Sequence, residues 1–210
     1  MTLRALDLFA GAGGLSCGFE WSGAGKVVGG VEWDAWAGRT FLANHPNARL
    51  WGDIRNVKPE EIAEEIGPID MVIGGPMCQG VSQRGPRDPR DDRNFAFWAF
   101  AEFVRKLRPT YFLMENVPAL VSDVHNRSLA IEVFRDLGSL GYQISAEAVN
   151  CAWFGVPQLR YRLITMGRLD HRPTFPEAVE AGVRGAMSES DFVTVGDAIL
   201  DLPYLLNWAG

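Results

Sequence analysis

The chain has 210 residues, 47% hydrophobic and 22% charged, with a formal net charge of −6. That length and balance suit one folded domain with a substantial core, and the absence of any apolar run of about 18 residues excludes a hydrophobic membrane-spanning helix. The acidic balance argues against tight DNA binding through bulk charge alone, although 17 of the 20 basic residues are Arg, the cation best suited to bidentate phosphate and base-edge contacts.

In chain order, Arg4–Phe9 is a short apolar strand, Gly11–Gly14 a glycine turn and Leu15–Trp21 a helix. Lys26–Glu32 is a second strand ending in an acid, and Ala35–Asn44 is a helix with Pro46 just beyond it. A third strand precedes WGDIR; Pro59–Ile66 is a helix with Pro in its first turn, and Ile69–Gly74 a buried strand. Gly75–Asn94 lacks periodicity, as functional loops often do. Phe95–Leu107 reads as an apolar helix, Thr110–Glu115 as a strand, Ser128–Leu140 as a helix, and Tyr142–Asn150 and Arg160–Gly167 as two late strands. Asp170–Asp191 reads as a linker, and Thr194–Leu206 as a short helix and turn. Strands alternating with helices predict an α/β fold with a largely parallel sheet.

Six groups of residues are candidates for chemistry. DLFAGAGGLSCGF, Asp7–Phe19, takes a strand through glycines into a helix, as nucleotide-binding folds do. Ser16 at the third glycine position breaks the dinucleotide pattern, which disfavours pyrophosphate and leaves room for a phosphate-free nucleoside cofactor such as S-adenosylmethionine. Glu32 falls where an acid binds ribose hydroxyls; Trp33 can stack on adenine, and Asp53 can accept from its amino group. Plain turn, surface-acid and core-tryptophan roles are the competing readings.

Cys78 opens a Gly/Pro loop with arginines nearby, as a thiolate nucleophile does, or it is a bystander. Glu115 ends a strand, and its carboxyl could serve as a general acid if partly desolvated; the competing reading is a helix cap involving Asn116. Gln158, Arg160 and Arg162, spaced by two, share a face if they lie on one strand, so either a ligand or solvent satisfies them. Arg84, Arg87, Arg90 and Arg93, interrupted by Asp88, Asp91 and Asp92, suit phosphate contact or a solvated loop equally. The cysteines (Cys17, Cys78, Cys151) are odd in number and form no CxxC, and the histidines (His45, His125, His171) are far apart, so neither a metal site nor a disulfide framework is expected.

Together, DLFAGAGGLSCGFE, EWD, GDIR, PMCQGVSQRG, MENV and GVPQLRYR follow the order and spacing of motifs in the DNA cytosine-5 methyltransferase family, which the chain resembles over about residues 4–205, through TVGDAILDLP. The resemblance implies a Rossmann-like class I methyltransferase fold and S-adenosylmethionine as donor. It implies that Cys78 attacks C6 of a flipped cytosine, that Glu115 contacts N3 and the exocyclic amine, and that Arg162 holds the base O2 with Arg160 in support. Cofactor contacts are expected from Phe9, Gly11, Gly13, Gly14, Leu15, Glu32, Trp33, Asp53, Ile54 and Pro76, and substrate contacts from Gln79, Ser82, Asn116 and Gln158.

Two positions depart from the family pattern: Met77 replaces the proline before the nucleophile, and Ala96 a leucine near the cofactor. The resemblance divides the chain into a catalytic cofactor-binding domain, 1–169, and a linker with the start of a target-recognition region, 170–210. The rest of that region and the final helix completing the cofactor pocket are expected to be missing. DNA is the expected partner, with a second polypeptide carrying the target-recognition region or self-association as further candidates; the remaining region belongs either to a separate subunit or to sequence beyond these 210 residues. The competing functions are methylation of a free pyrimidine nucleotide and a degenerate regulatory relative. The N-terminus lacks signal-peptide features, so a cytoplasmic location is expected.

Overall fold

A computed structural model describes residues 2–77, 95–124, 126–176 and 192–202. Seven strands form one sheet: β1 (Leu3–Leu8), β2 (Gly25–Val31), β3 (Arg49–Trp51), β4 (Met71–Gly74), β5 (Tyr111–Asn116), β6 (Gln143–Asn150) and β7 (Tyr161–Arg168), in the order β3-β2-β1-β4-β5-β7-β6. The pairs β1–β2, β1–β4, β2–β3 and β4–β5 are parallel; β7 lies antiparallel to both β5 and β6. This is the α/β, largely parallel sheet that the alternation predicts, with the two late strands forming an antiparallel edge.

Alternation along β1 sorts the core. Leu6 and Leu8 join the larger apolar cluster, with Phe97, Phe100 and Val104 of α4 (Phe95–Leu107) and Val133 and Leu137 of α6 (Arg127–Ser139). Ala5 joins the smaller one, with Val27 and with Phe41 of α2 (Ala35–Asn44). The helix α1 (Gly14–Trp21) packs against β2 and β4, while α3 (Pro59–Ile66) packs against α4. Asp34 caps α2 by accepting from the backbone N–H of Trp36 and Ala37. No helix among the described residues is long and apolar enough to cross a membrane.

Strand order reverses direction about β1, between the β2 and β4 sides, and ligands of open α/β sheets bind outside the carboxyl ends of the strands at such a point. The loops after β1, β2, β3, β4 and β5 all leave from that edge. The turn after β1 is tightly wound: Phe9, Gly11 and Gly13 all have positive φ, at 60°, 55° and 88°. A side chain on Gly13 would also stand 2.9 Å from His45 Nε2, so this position requires glycine on both counts.

Several expectations need correction. Gln158 lies in a turn, its N–H donating to the Val156 carbonyl at 2.7 Å, and Arg160 precedes β7; only Arg162 is on the strand, so the three do not share a strand face. Backbone bonding within the Val156–Gln158 turn wins over the alternation. A short helix α5 (Ala119–Ser122) follows Pro118, and Asn116 plays no part in capping it. The last described helix, α7 (Val195–Ile199), is short, as expected, and its N-terminus is closed by a capping box between Thr194 and Asp197.

Candidate active site

A cleft of about 350 Å³ opens at the carboxyl edge of β1, β2 and β3. Phe9, Val31, Ile54 and Phe95 form its apolar lining, with Glu32, Asp53 and Arg55 as polar groups and the exposed indole of Trp33 at its side. Small-molecule pockets have this volume and this mixture of apolar wall and few polar groups. Five of the ten predicted cofactor residues line it: Phe9, Glu32, Trp33, Asp53 and Ile54.

The other five stand behind or beside the cleft. Gly11 donates its N–H to Glu32 Oε2 at 2.8 Å, while Glu32 Oε1 accepts from the Asp34 N–H at 2.7 Å. One carboxylate thus ties the turn after β1 to the start of α2. Gly13 packs against His45 and Phe41, Gly14 begins α1, Leu15 is half-buried on it, and Pro76 is buried.

Asp53 has a partner within the chain. Its carboxylate accepts from the Arg55 N–H at 3.0 Å and from the Arg55 guanidinium through both oxygens. Those hydrogen bonds hold the Asp53 pKa below the ordinary carboxylate range. Asp53 is thus paired with Arg55 while it lines the cleft, and its two oxygens retain acceptor capacity for a ligand amine. Arg55 went unread in the sequence, although its position two residues after Asp53, in the 3-10 turn Ile54–Asn56, was the available signal.

Beneath the turn lies a buried acid. Asp7 on β1 accepts from the Ser16 hydroxyl at 2.6 Å. Burial pushes its pKa up to about 7; the Ser16 hydrogen bond opposes that shift and the nearby negative charge of Glu32 adds to it. Ser16, read only as a departure from a glycine pattern, is itself fully buried as the partner of Asp7.

The second group lies where β5 and β7 meet. Glu115 Oε1 receives Arg162 Nε at 2.6 Å, and Arg162 Nη1 donates to the Tyr161 carbonyl at 2.7 Å. Two residues 47 apart are therefore paired on adjoining strands, where Glu115 faces Ile164 in register. Glu115 is one-third exposed and ion-paired, not an isolated desolvated carboxyl. Arg160 is exposed, with its backbone N–H bonded to Asn150 Oδ1 at 3.1 Å. Asn150 Oδ1 also accepts from Ala152, so this buried amide orients the whole turn into β7.

Asn116, expected at the substrate, is buried and bonded to backbone. Its Nδ2 donates to the Pro76 carbonyl at 2.7 Å and its Oδ1 accepts from the Val117 N–H at 2.8 Å. It fastens the segment after β4 to the end of β5. Met77, next along that segment, lines the cleft together with Ala96. Cys78, Gln79, Ser82 and the four loop arginines lie outside the described residues. No cluster of three or more His, Cys, Asp or Glu among the described residues could hold a metal.

Residues 3–192 match the model of the family described as C-5 cytosine-specific DNA methylase. Type II methyltransferase M.DdeI of Desulfomicrobium norvegicum is 33% identical over 206 residues, covering 97% of this chain and 49% of that protein. Type II methyltransferase M1.HphI of Haemophilus parahaemolyticus is 37% identical over 212 residues, covering 98% and 54%. The chain thus spans about half the length of these curated relatives. Among solved structures, a prophage-encoded E. coli protein described as a DNA modification methyltransferase superposes with a TM-score of 0.77 at 30% identity, covering 98% of this chain and 56% of that one. Spodoptera frugiperda DNMT2 gives a TM-score of 0.64 at 25% identity, covering 80% and 50%.

Proposed function

Because this chain belongs to the C-5 cytosine-specific DNA methylase family, we propose that it is the cofactor-binding and catalytic half of a DNA cytosine-5 methyltransferase using S-adenosylmethionine. The observation that carries this reading is the convergence at one sheet edge. The cleft is bounded by Phe9, Glu32 and Trp33, and Met77, the residue before Cys78, lines the same cleft. Asn116 ties Pro76, two residues before Cys78, to the strand bearing Glu115.

The cleft suits the cofactor. Its apolar wall matches an adenine face, Trp33 offers a stacking surface, and each Glu32 oxygen accepts one backbone N–H while keeping a lone pair for a ribose hydroxyl. When bound, S-adenosylmethionine supplies an electrophilic methyl group on a sulfonium centre. Cys78 attacks C6 of a cytosine turned out of the helix, which makes C5 nucleophilic toward that methyl. Glu115 contacts N3 and the exocyclic amine, with Arg162 orienting its carboxylate and holding the base O2. Loss of the C5 proton and departure of Cys78 then release 5-methylcytosine.

Residues 1–169 form the catalytic unit in this reading, and 170–210 lead toward a target-recognition region. DNA is the proposed substrate, and a second polypeptide or a second copy of the chain is a proposed partner. A cytoplasmic location accords with that substrate. The relatives are named type II methyltransferases and the matching family is described as C-5 cytosine-specific DNA methylase, which lends nothing to a free-nucleotide substrate or a non-catalytic role.

The decisive experiment is covalent trapping on duplex DNA carrying 5-fluorocytosine, with the complementing half present, since fluorine prevents loss from C5. A Cys78–DNA adduct that requires S-adenosylmethionine is expected. An adduct that persists in Cys78→Ser would overturn the assignment.

A further inference from the structure

We propose that Cys17 is a second nucleophilic thiol, separate from the cytosine chemistry, and a site of oxidation by hydroperoxides. Cys17 and Glu20, both on α1, meet His45, which follows α2, beside the glycine turn. Cys17 Sγ lies 3.6 Å from His45 Nε2, and His45 Nδ1 lies 2.8 Å from Glu20 Oε2. Glu20 Oε1 accepts the Val27 N–H at 2.9 Å, which fixes the carboxylate between α1 and β2.

The arrangement determines its own proton positions. A carboxylate only accepts, so the imidazole N–H sits on Nδ1 and points at Glu20. His45 Nε2 then carries the lone pair, which accepts the Cys17 S–H. A nucleophile, a base within its reach and a third group orienting that base form the general pattern of an activated nucleophile. His45 is 4% exposed and wedged against Phe41, with ring centroids 4.9 Å apart, so it cannot swing to another partner. Cys17 itself is only half-buried.

Transfer of the thiol proton to His45 leaves a thiolate beside an imidazolium held by Glu20. The thiolate attacks one oxygen of the hydroperoxide, forming the S–O bond as the O–O bond breaks. Sulfur loses two electrons and becomes a sulfenic acid. The departing oxygen takes the proton from His45, leaving water when the oxidant is hydrogen peroxide, and His45 returns to neutral.

Cys151, also half-buried and free, serves as the internal comparator. The test exposes the whole chain to hydrogen peroxide, traps sulfenic acid with dimedone and quantifies each cysteine-bearing peptide by mass spectrometry, so Cys78 is read separately. Cys17 is expected to label about tenfold faster than Cys151, and Glu20→Gln and His45→Gln, checked for folding by circular dichroism, to remove most of that advantage. Labelling of Cys17 no faster than Cys151 overturns the proposal, whatever the variants do. An undiminished Cys17 rate in a folded Glu20→Gln or His45→Gln protein also overturns it.

Discussion

Asp7 concentrates the titration behaviour of the site in one carboxyl. Its folded pKa is raised to about 7, above the ordinary value of 3.8, chiefly by burial. Between those values the folded state keeps a proton that the unfolded state has released. This contribution to stability is therefore largest below about pH 4, declines as pH rises to about 7, and is flat above. Each pKa unit is about 1.4 kcal/mol, so the decline amounts to a few kcal/mol at most. Asp7→Asn keeps an acceptor for Ser16 and has nothing to titrate. Urea denaturation at stepped pH should show a shallower fall for the variant across this window; parallel curves for the two proteins would remove Asp7 as the cause.

At the scale of elements, Glu32 joins two backbone segments. Its oxygens accept from the turn after β1 and from the N-terminal side of α2, through Gly11 and Asp34. Glutamine has one acceptor oxygen and would turn an NH₂ group toward the other N–H. Glu32→Gln is therefore expected to lose about 1 kcal/mol of stability, the worth of one part-buried hydrogen bond, and to bind S-adenosylmethionine more weakly. Chemical denaturation and calorimetry read the two effects separately. Unchanged affinity would show that the cleft does not use Glu32, even if stability falls. Asn116 and Asn150 do similar work on the substrate side: each side-chain amide bonds to two backbone groups and fixes a segment next to Glu115 and Arg162.

At the scale of the whole molecule, the chain spans about half of its curated relatives and carries a net charge of −6. Phosphate contacts supply much of the affinity for DNA, and base readout needs side chains delivered into a groove. We expect the 210-residue chain alone to give little site-specific methylation, and addition of a polypeptide carrying the remaining half to raise it strongly. A methylation assay on mixed-sequence DNA, with and without that polypeptide, measures this directly. Robust methylation of one sequence by the chain alone would refute the division of labour proposed here.

Much of the fold was legible because strands, turns and helices leave local signals. Apolar runs followed by a glycine turn or ending in glycine or an acid located β1, β2 and β4, and Pro59 marked the start of α3. The same local logic brought Phe9, Glu32, Trp33, Asp53 and Ile54 to one edge, since residues after parallel strands leave from the same side. Sequence determined the class of fold, the glycine turn and the identity of that edge. Tertiary structure decided what each polar group touches. It put Asn116 on the Pro76 carbonyl, set Arg162 against Glu115, and brought His45 to Cys17 across 28 residues. The physical reason is that periodicity records only which face of an element is buried, whereas these partners meet through strand order and register, which are settled when the whole sheet packs.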